Sequence, residues 1–162
     1  RAHPEEAVRN EPMPSRSRSR LTLLLSCPRQ DSGSVVEQLP RLLEPLGIGA
    51  RHASTGSEAT RIIEHEPIHI AMVDLATPLH ERDTRSAGGG RVLQILRRLD
   101  SPPPTVIVRP RQAAPRDSAR SLSEALREGA FAVVDQPLHL ETLLEVMRRI
   151  VRRHYADHWP AA

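Results

Sequence analysis

Asp74 stands near the end of the stretch "PIHIAMVDLATP" (residues 67–78), where an apolar run delivers one carboxylate and then breaks at a proline. A lone acid at the end of a strand that otherwise reads as buried is either a reactive group or the remnant of one. The plainer reading is a carboxylate that is solvated or accepts backbone N–H bonds. Arg109 ends another apolar run and offers a permanent cation, so an Asp74–Arg109 ion pair is one expected arrangement. Cys27 reads as a small buried hydrophobe, with a reactive thiol as the alternative. His154 and His158 have a spacing that can place two metal ligands on one helix face, but no third ligand accompanies them. His65 and His69 are separated by Pro67 and make no helical pair. The run "AGGG" (residues 87–90) matches no phosphate-binding fingerprint and reads as a flexible linker. No nucleophile–base–acid set falls on strand ends, so the expected function is not enzymatic.

Composition narrows the field. The chain has 162 residues, 38% hydrophobic and 27% charged, which fits one domain with one sizeable core. Phe131, Tyr155 and Trp159 are its only aromatic residues, so the core is aliphatic and a stacked flavin or base is disfavoured. All 23 basic residues are arginine, which excludes any chemistry that needs a lysine ammonium. The net charge of +3 is modest and does not by itself point to nucleic acid. No apolar run approaches the roughly 20 residues of a membrane span. A single cysteine cannot form an internal disulfide, and the expected compartment is a reducing cytoplasm.

These groups need a frame to position them. Residues 1–20, with three prolines and "SRSRSR", read as a disordered basic tail. Met13 resembles a natural start, which leaves residues 1–12 as an upstream or added segment. The folded unit is expected over residues 21–153, with 154–162 as a C-terminal tail. "LTLLLS" (21–26) reads as a strand buried on both faces. A helix follows, with Ser34 and Glu37 as a capping box and Pro40 expected to kink it or move its start. Residues 50–53 form a short strand, and Thr55 with Glu58 caps the next helix. The strand ending at Asp74 leads into a polar loop, residues 79–89, and then a third helix marked by Val92, Leu96 and Leu99. "TVIVRP" (105–110) is the fourth strand. A loop, "RQAAPRDSAR", precedes a short fourth helix. The fifth strand spans residues 130–137, and the last helix residues 139–153. Five strands alternating with five helices predict a doubly wound parallel α/β sheet of flavodoxin-like order 2-1-3-4-5. Its crevice lies at the carboxyl ends of strands 1 and 3, where Ser26, Cys27 and Asp74 fall.

On that frame, "VDLATP", Gly90 before the third helix, and "ALREGAFAVVDQP" resemble three separated segments of the receiver domains of bacterial response regulators. The resemblance covers residues 21 to about 153. It implies that Asp74 corresponds to the aspartate that accepts a phosphoryl group from a histidine kinase in a two-component phosphorelay. It places Ser26 and Cys27 where the family carries its Mg²⁺-binding acids, and Arg109 or Pro110 at the Ser/Thr switch position. Gln136 stands at the lysine position before Pro137, and Val133 at the strand-5 aromatic. One of five chemical positions survives, so the resemblance implies an atypical receiver.

The expected function is therefore a stand-alone receiver-like domain acting in signalling by protein–protein contact, without cofactor and independent of phosphorylation. The signalling partner, or a second copy in a homodimer, is expected on the face of the fourth helix, fifth strand and fifth helix. No DNA-binding helix pair and no membrane contact are expected. The alternative is a working phosphoacceptor with a rebuilt Mg²⁺ site, using Asp31 and Asp74 as ligands and Arg109 as the cation. A small-ligand binder at the same crevice is the third reading.

Overall fold

The computed structural model describes residues 21–29, 33–110 and 115–155. The basic tail, Asp31, Trp159 and His158 lie outside them.

β1 (Leu21–Ser26) is an unbroken apolar run and takes the central position its composition demands. β2 (Ile48–Ala53) pairs parallel on one side of it, and β3 (Ile70–Asp74) on the other. A hairpin of β4 (Pro78–His80) and β5 (Asp83–Ala87) follows β3. β6 (Thr105–Arg109) then joins β3, and β7 (Ala132–Asp135) closes the sheet at its edge. The sheet order is β2-β1-β3-β6-β7. With the small hairpin set aside, this is the predicted 2-1-3-4-5.

Five helices cover the two faces. α1 (Val35–Leu43) and α5 (Leu140–Ile150) pack on one side, with Leu39, Leu43, Leu143 and Ile150 fully buried against Leu21, Leu23, Leu25 and Met72. α2 (Gly56–His65) and α3 (Gly88–Arg97) pack on the other, where Ala59, Val92 and Leu96 meet Leu24, Ala71 and Val73. Each fully buried leucine or isoleucine contributes on the order of 2 kcal/mol of transfer free energy. The alternation of Leu23, Leu24 and Leu25 between the two cores follows the two-residue period of a strand. α4 (Pro115–Arg127) is held more loosely: of its side chains described, Ala125 is buried, whereas Leu122 and Leu126 are exposed.

Both predicted helix caps form. The Ser34 hydroxyl accepts from Glu37 N–H, and Glu37 reaches back to the N–H of Gly33. Thr55 accepts from Glu58 N–H at 3.1 Å, and Glu58 accepts from Ser54 N–H at 2.7 Å. Both glutamates thus bond one residue upstream of the cap.

Five expectations are corrected. Pro40 does not move the start of α1, which begins at Val35 and continues past it. Residues 79–89 are not one polar loop, because the hairpin occupies most of them. Gly88 and Gly89 are not a linker: they form the first turn of α3, where a Cβ at 88 would meet the Pro78 carbonyl oxygen at 2.5 Å. α4 starts at Pro115, several residues before the expected helix, as suits a proline in a first helical turn. At the C-terminus, α5 widens into a π-type turn, Val151–Tyr155, so packed structure runs two residues past the expected boundary.

Candidate functional site

The strand ends bring Ser26, Cys27, Asp74 and Gln136 to one edge of the sheet. Asp74 is 3% exposed. Its Oδ1 accepts from the N–H of Ala76 at 2.8 Å, and its Oδ2 accepts from the Gln136 side-chain amide at 3.2 Å. Burial raises its pKa above the ordinary carboxylate value, and those two hydrogen bonds partly oppose the rise. Gln136 is placed by the turn after β7, where its peptide bond to Pro137 is cis.

Thr77 fixes the backbone beside Asp74. Its hydroxyl lies 2.7 Å from the Asp74 carbonyl and 3.1 Å from that of Ser26, tying the ends of β3 and β1 together. The Thr77 carbonyl in turn accepts from the N–H groups of Gly88 and Gly89. A Cβ at Gly89 would lie 2.6 Å from the Asp74 carbonyl oxygen, so glycine allows α3 to start against the end of β3. Neither Thr77 nor Gly89 carries a sequence signal strong enough to mark it in advance.

The expected Asp74–Arg109 pair does not form. Asp74 is level with Val108 across the β3–β6 ladder, and Arg109 is level with Asp135 across β6–β7. Side chains alternate between faces along a strand, so Arg109 projects to the face opposite Asp74 and shares one with Asp135. The guanidinium forks onto that carboxylate, Nε to Oδ1 at 2.7 Å and an Nη to Oδ2 at 3.0 Å. Arg109 is 2% exposed, and the Asp135 side chain is half exposed. Pro110 follows at the strand's exposed end, and Val133 is half-buried on β7. Asp135 escaped the sequence reading because register, which no local pattern states, decides this partnership.

The donor set does not suit Mg²⁺, which takes carboxylate oxygens and water. Among the described residues no three His, Cys, Asp or Glu side chains gather into a metal-binding group. Cys27 is buried at 2% exposure, and burial together with the nearby Asp74 carboxylate pushes its thiol pKa up to about 12. A neutral thiol is neither a hard-cation ligand nor a nucleophile. The Ser26 hydroxyl is fully buried and has no hydrogen-bond partner among the described residues. Of the expected histidine pair, His154 packs edge-on against Phe131 with ring centroids 5.7 Å apart.

No protein-family profile matches the chain, and no curated protein matches it in sequence. Its fold does match solved structures. A CheY-like response-regulator receiver domain from Methanospirillum hungatei superposes with TM-score 0.62 at 20% identity, over 85% of this chain and 98% of the other. The receiver domain of a Francisella response regulator gives 0.61 at 21% identity, over 82% and 98%. The signal receiver domain of a histidine kinase from Syntrophus aciditrophicus gives 0.60 at 22% identity, over 87% and 97%. The chain has the fold of response-regulator receiver domains.

Proposed function

We propose that this chain is a receiver-like signalling domain that works by protein–protein contact and does not depend on phosphorylation of Asp74. The carrying observation is the state of that carboxylate. Both its oxygens already accept from neutral donors, Ala76 N–H and the Gln136 amide, and it lies 97% out of solvent contact. Phosphoryl transfer rests on positioning and on cations that offset charge. Here Arg109, the cation expected beside Asp74, is turned to the other face and forks onto Asp135. Gln136 therefore holds in place, without charge, an acid that a cation would otherwise face.

The output surface is the face of α4, β7 and α5. Leu122 and Leu126 are 38% and 48% exposed on α4, which leaves apolar area for a partner or a second copy to cover. Beside β7, a groove of about 340 Å³ is lined by Val133, Pro137, Thr142, Val146 and Arg149. Among the described residues no helix is long and apolar enough to cross a membrane. The lone cysteine suits a cytoplasmic setting.

The test is incubation with acetyl phosphate and Mg²⁺ followed by intact-protein mass spectrometry. The expected result is an unmodified chain that still captures its partner after Asp74→Asn. A phosphorylated species that disappears in the same variant would support a working phosphoacceptor.

A further inference from the structure

The other end of the sheet carries a second polar arrangement with no part in the Asp74 site. His69 immediately precedes β3. Its Nδ1 accepts the backbone N–H of Thr22 at 2.9 Å, and its own N–H donates to the Thr22 carbonyl at 2.9 Å. The phenol of Tyr155 donates to the His69 carbonyl at 2.6 Å, and the two rings meet edge to face at 6.3 Å. One residue thus joins the start of β1, the start of β3 and the C-terminal turn. Phe131, before β7, extends the contact through His154, with Arg149 5.8 Å above its ring. Two of the chain's three aromatic residues, Phe131 and Tyr155, are placed here.

The hydrogen-bond direction fixes the imidazole's state. A backbone N–H can only donate, so Nδ1 must be unprotonated and the ring neutral with its proton on Nε2. Protonating Nδ1 would set two donors against each other. We propose that His69 is an acid-sensitive clasp that holds the C-terminal turn, Val151–Tyr155, against the base of the sheet and releases it when the imidazole is protonated. The ionisable surroundings support this. Burial lowers the His69 pKa, and no charged neighbour contributes. Burial moves the Tyr155 phenol pKa further up, so Tyr155 does not titrate in the acid range. His154 faces Phe131 and Tyr155, and Glu66, three residues upstream, is bound to Arg51 at 2.8 Å. Because the folded pKa lies below the unfolded value of about 6.5, the stability His69 provides is complete above that value. It is lost as pH falls through the folded pKa. The turn continues α5, whose other end follows the Gln136–Pro137 turn beside Asp74, so release at the base acts on the output helix. This device does not depend on whether Asp74 accepts a phosphoryl group.

The test is backbone and imidazole NMR with amide hydrogen exchange on the whole chain, from neutral pH downward. The Thr22 and Tyr155 amides are expected to shift with the same midpoint as the His69 ring. Protection of residues 151–155, corrected for intrinsic exchange, is expected to fall by up to about tenfold per pH unit between the free imidazole value of about 6.5 and that midpoint, and to level off below it. His69→Asn keeps a side-chain oxygen near the Nδ1 position and cannot titrate, so the variant should hold the turn at acid pH. If Tyr155 does not follow the His69 midpoint, or if H69N loses protection over the same range as wild type, the proposal is overturned.

Discussion

The two ends of the sheet solve the same problem in opposite ways. At the carboxyl end, an acid is buried among neutral donors, and its burial raises its pKa. At the amino end, a base is buried against a backbone donor, and its burial lowers its pKa. Both ends hold an ionisable group that folding prefers uncharged, but they titrate with opposite sign. The Asp74 contribution is complete below the unfolded carboxylate value and is lost as pH rises through its folded pKa. The His69 contribution is complete above the unfolded imidazole value and is lost as pH falls. The difference separates a group kept at some cost in stability, as expected of one retained for geometry, from a group that joins elements across the chain. Position in a sheet does not settle which role a buried charge has. The partners it joins do: Asp74 is held by Ala76 and Gln136 at one end of the sheet, whereas His69 links β1, β3 and the C-terminal turn.

The largest effect should come from filling the space between β3 and α3. Gly89→Val puts side-chain atoms where a Cβ alone would stand 2.6 Å from the Asp74 carbonyl oxygen and 2.9 Å from the Leu75 Cα. Backbone cannot yield cheaply, so a loss of about 3 kcal/mol is expected in urea unfolding. A near-neutral result would show that the carboxyl end is not rigidly seated. Asp135→Ala comes next. It leaves the guanidinium of Arg109 without its fork, and a loss of about 2 kcal/mol is expected, with the Asp74 resonances nearly unmoved. Large shifts at Asp74 in that variant would mean that the two faces of the sheet are coupled more tightly than strand alternation implies.

Asp74→Asn should have a smaller effect of opposite sign. The asparagine oxygen still accepts from Ala76, and the Gln136 amide can reverse to accept from the new NH₂ group. The variant should melt a few degrees higher than wild type at neutral pH. The gain should vanish as pH falls toward the unfolded carboxylate value of about 3.9. A variant less stable than wild type at neutral pH would mean that the charge is stabilised by something other than these neutral donors.

The sheet order and the strand-end positions of Asp74 and Cys27 were legible because they rest on local signals, whereas Gln136 was marked only by the family resemblance. Apolar runs mark buried strands, capping residues mark helix starts, and the carboxyl ends of strands 1 and 3 locate the crevice. What escaped depends on residues far apart in sequence. Arg109 and Asp135 are 26 residues apart, Thr22 and His69 are 47, and His69 and Tyr155 are 86. The Asp74–Arg109 pairing failed for a related reason. Both residues sit at strand ends, but a one-residue difference in register puts their side chains on opposite faces. The hairpin went unseen because "LHERDTRSA" has neither the Asn-Gly turn nor the alternation that marks such elements.

The most direct test of the central claim is a ¹H–¹⁵N NMR titration of the whole chain with Mg²⁺ and then beryllofluoride, with Asp74→Asn as control. Asp74 held by Ala76 and Gln136, without a second carboxylate among its described neighbours, predicts spectra unchanged at both steps. Shifts centred on Asp74 that spread into α4 and α5 and are absent from the variant would contradict it, and would restore this end of the sheet as a working phosphoacceptor.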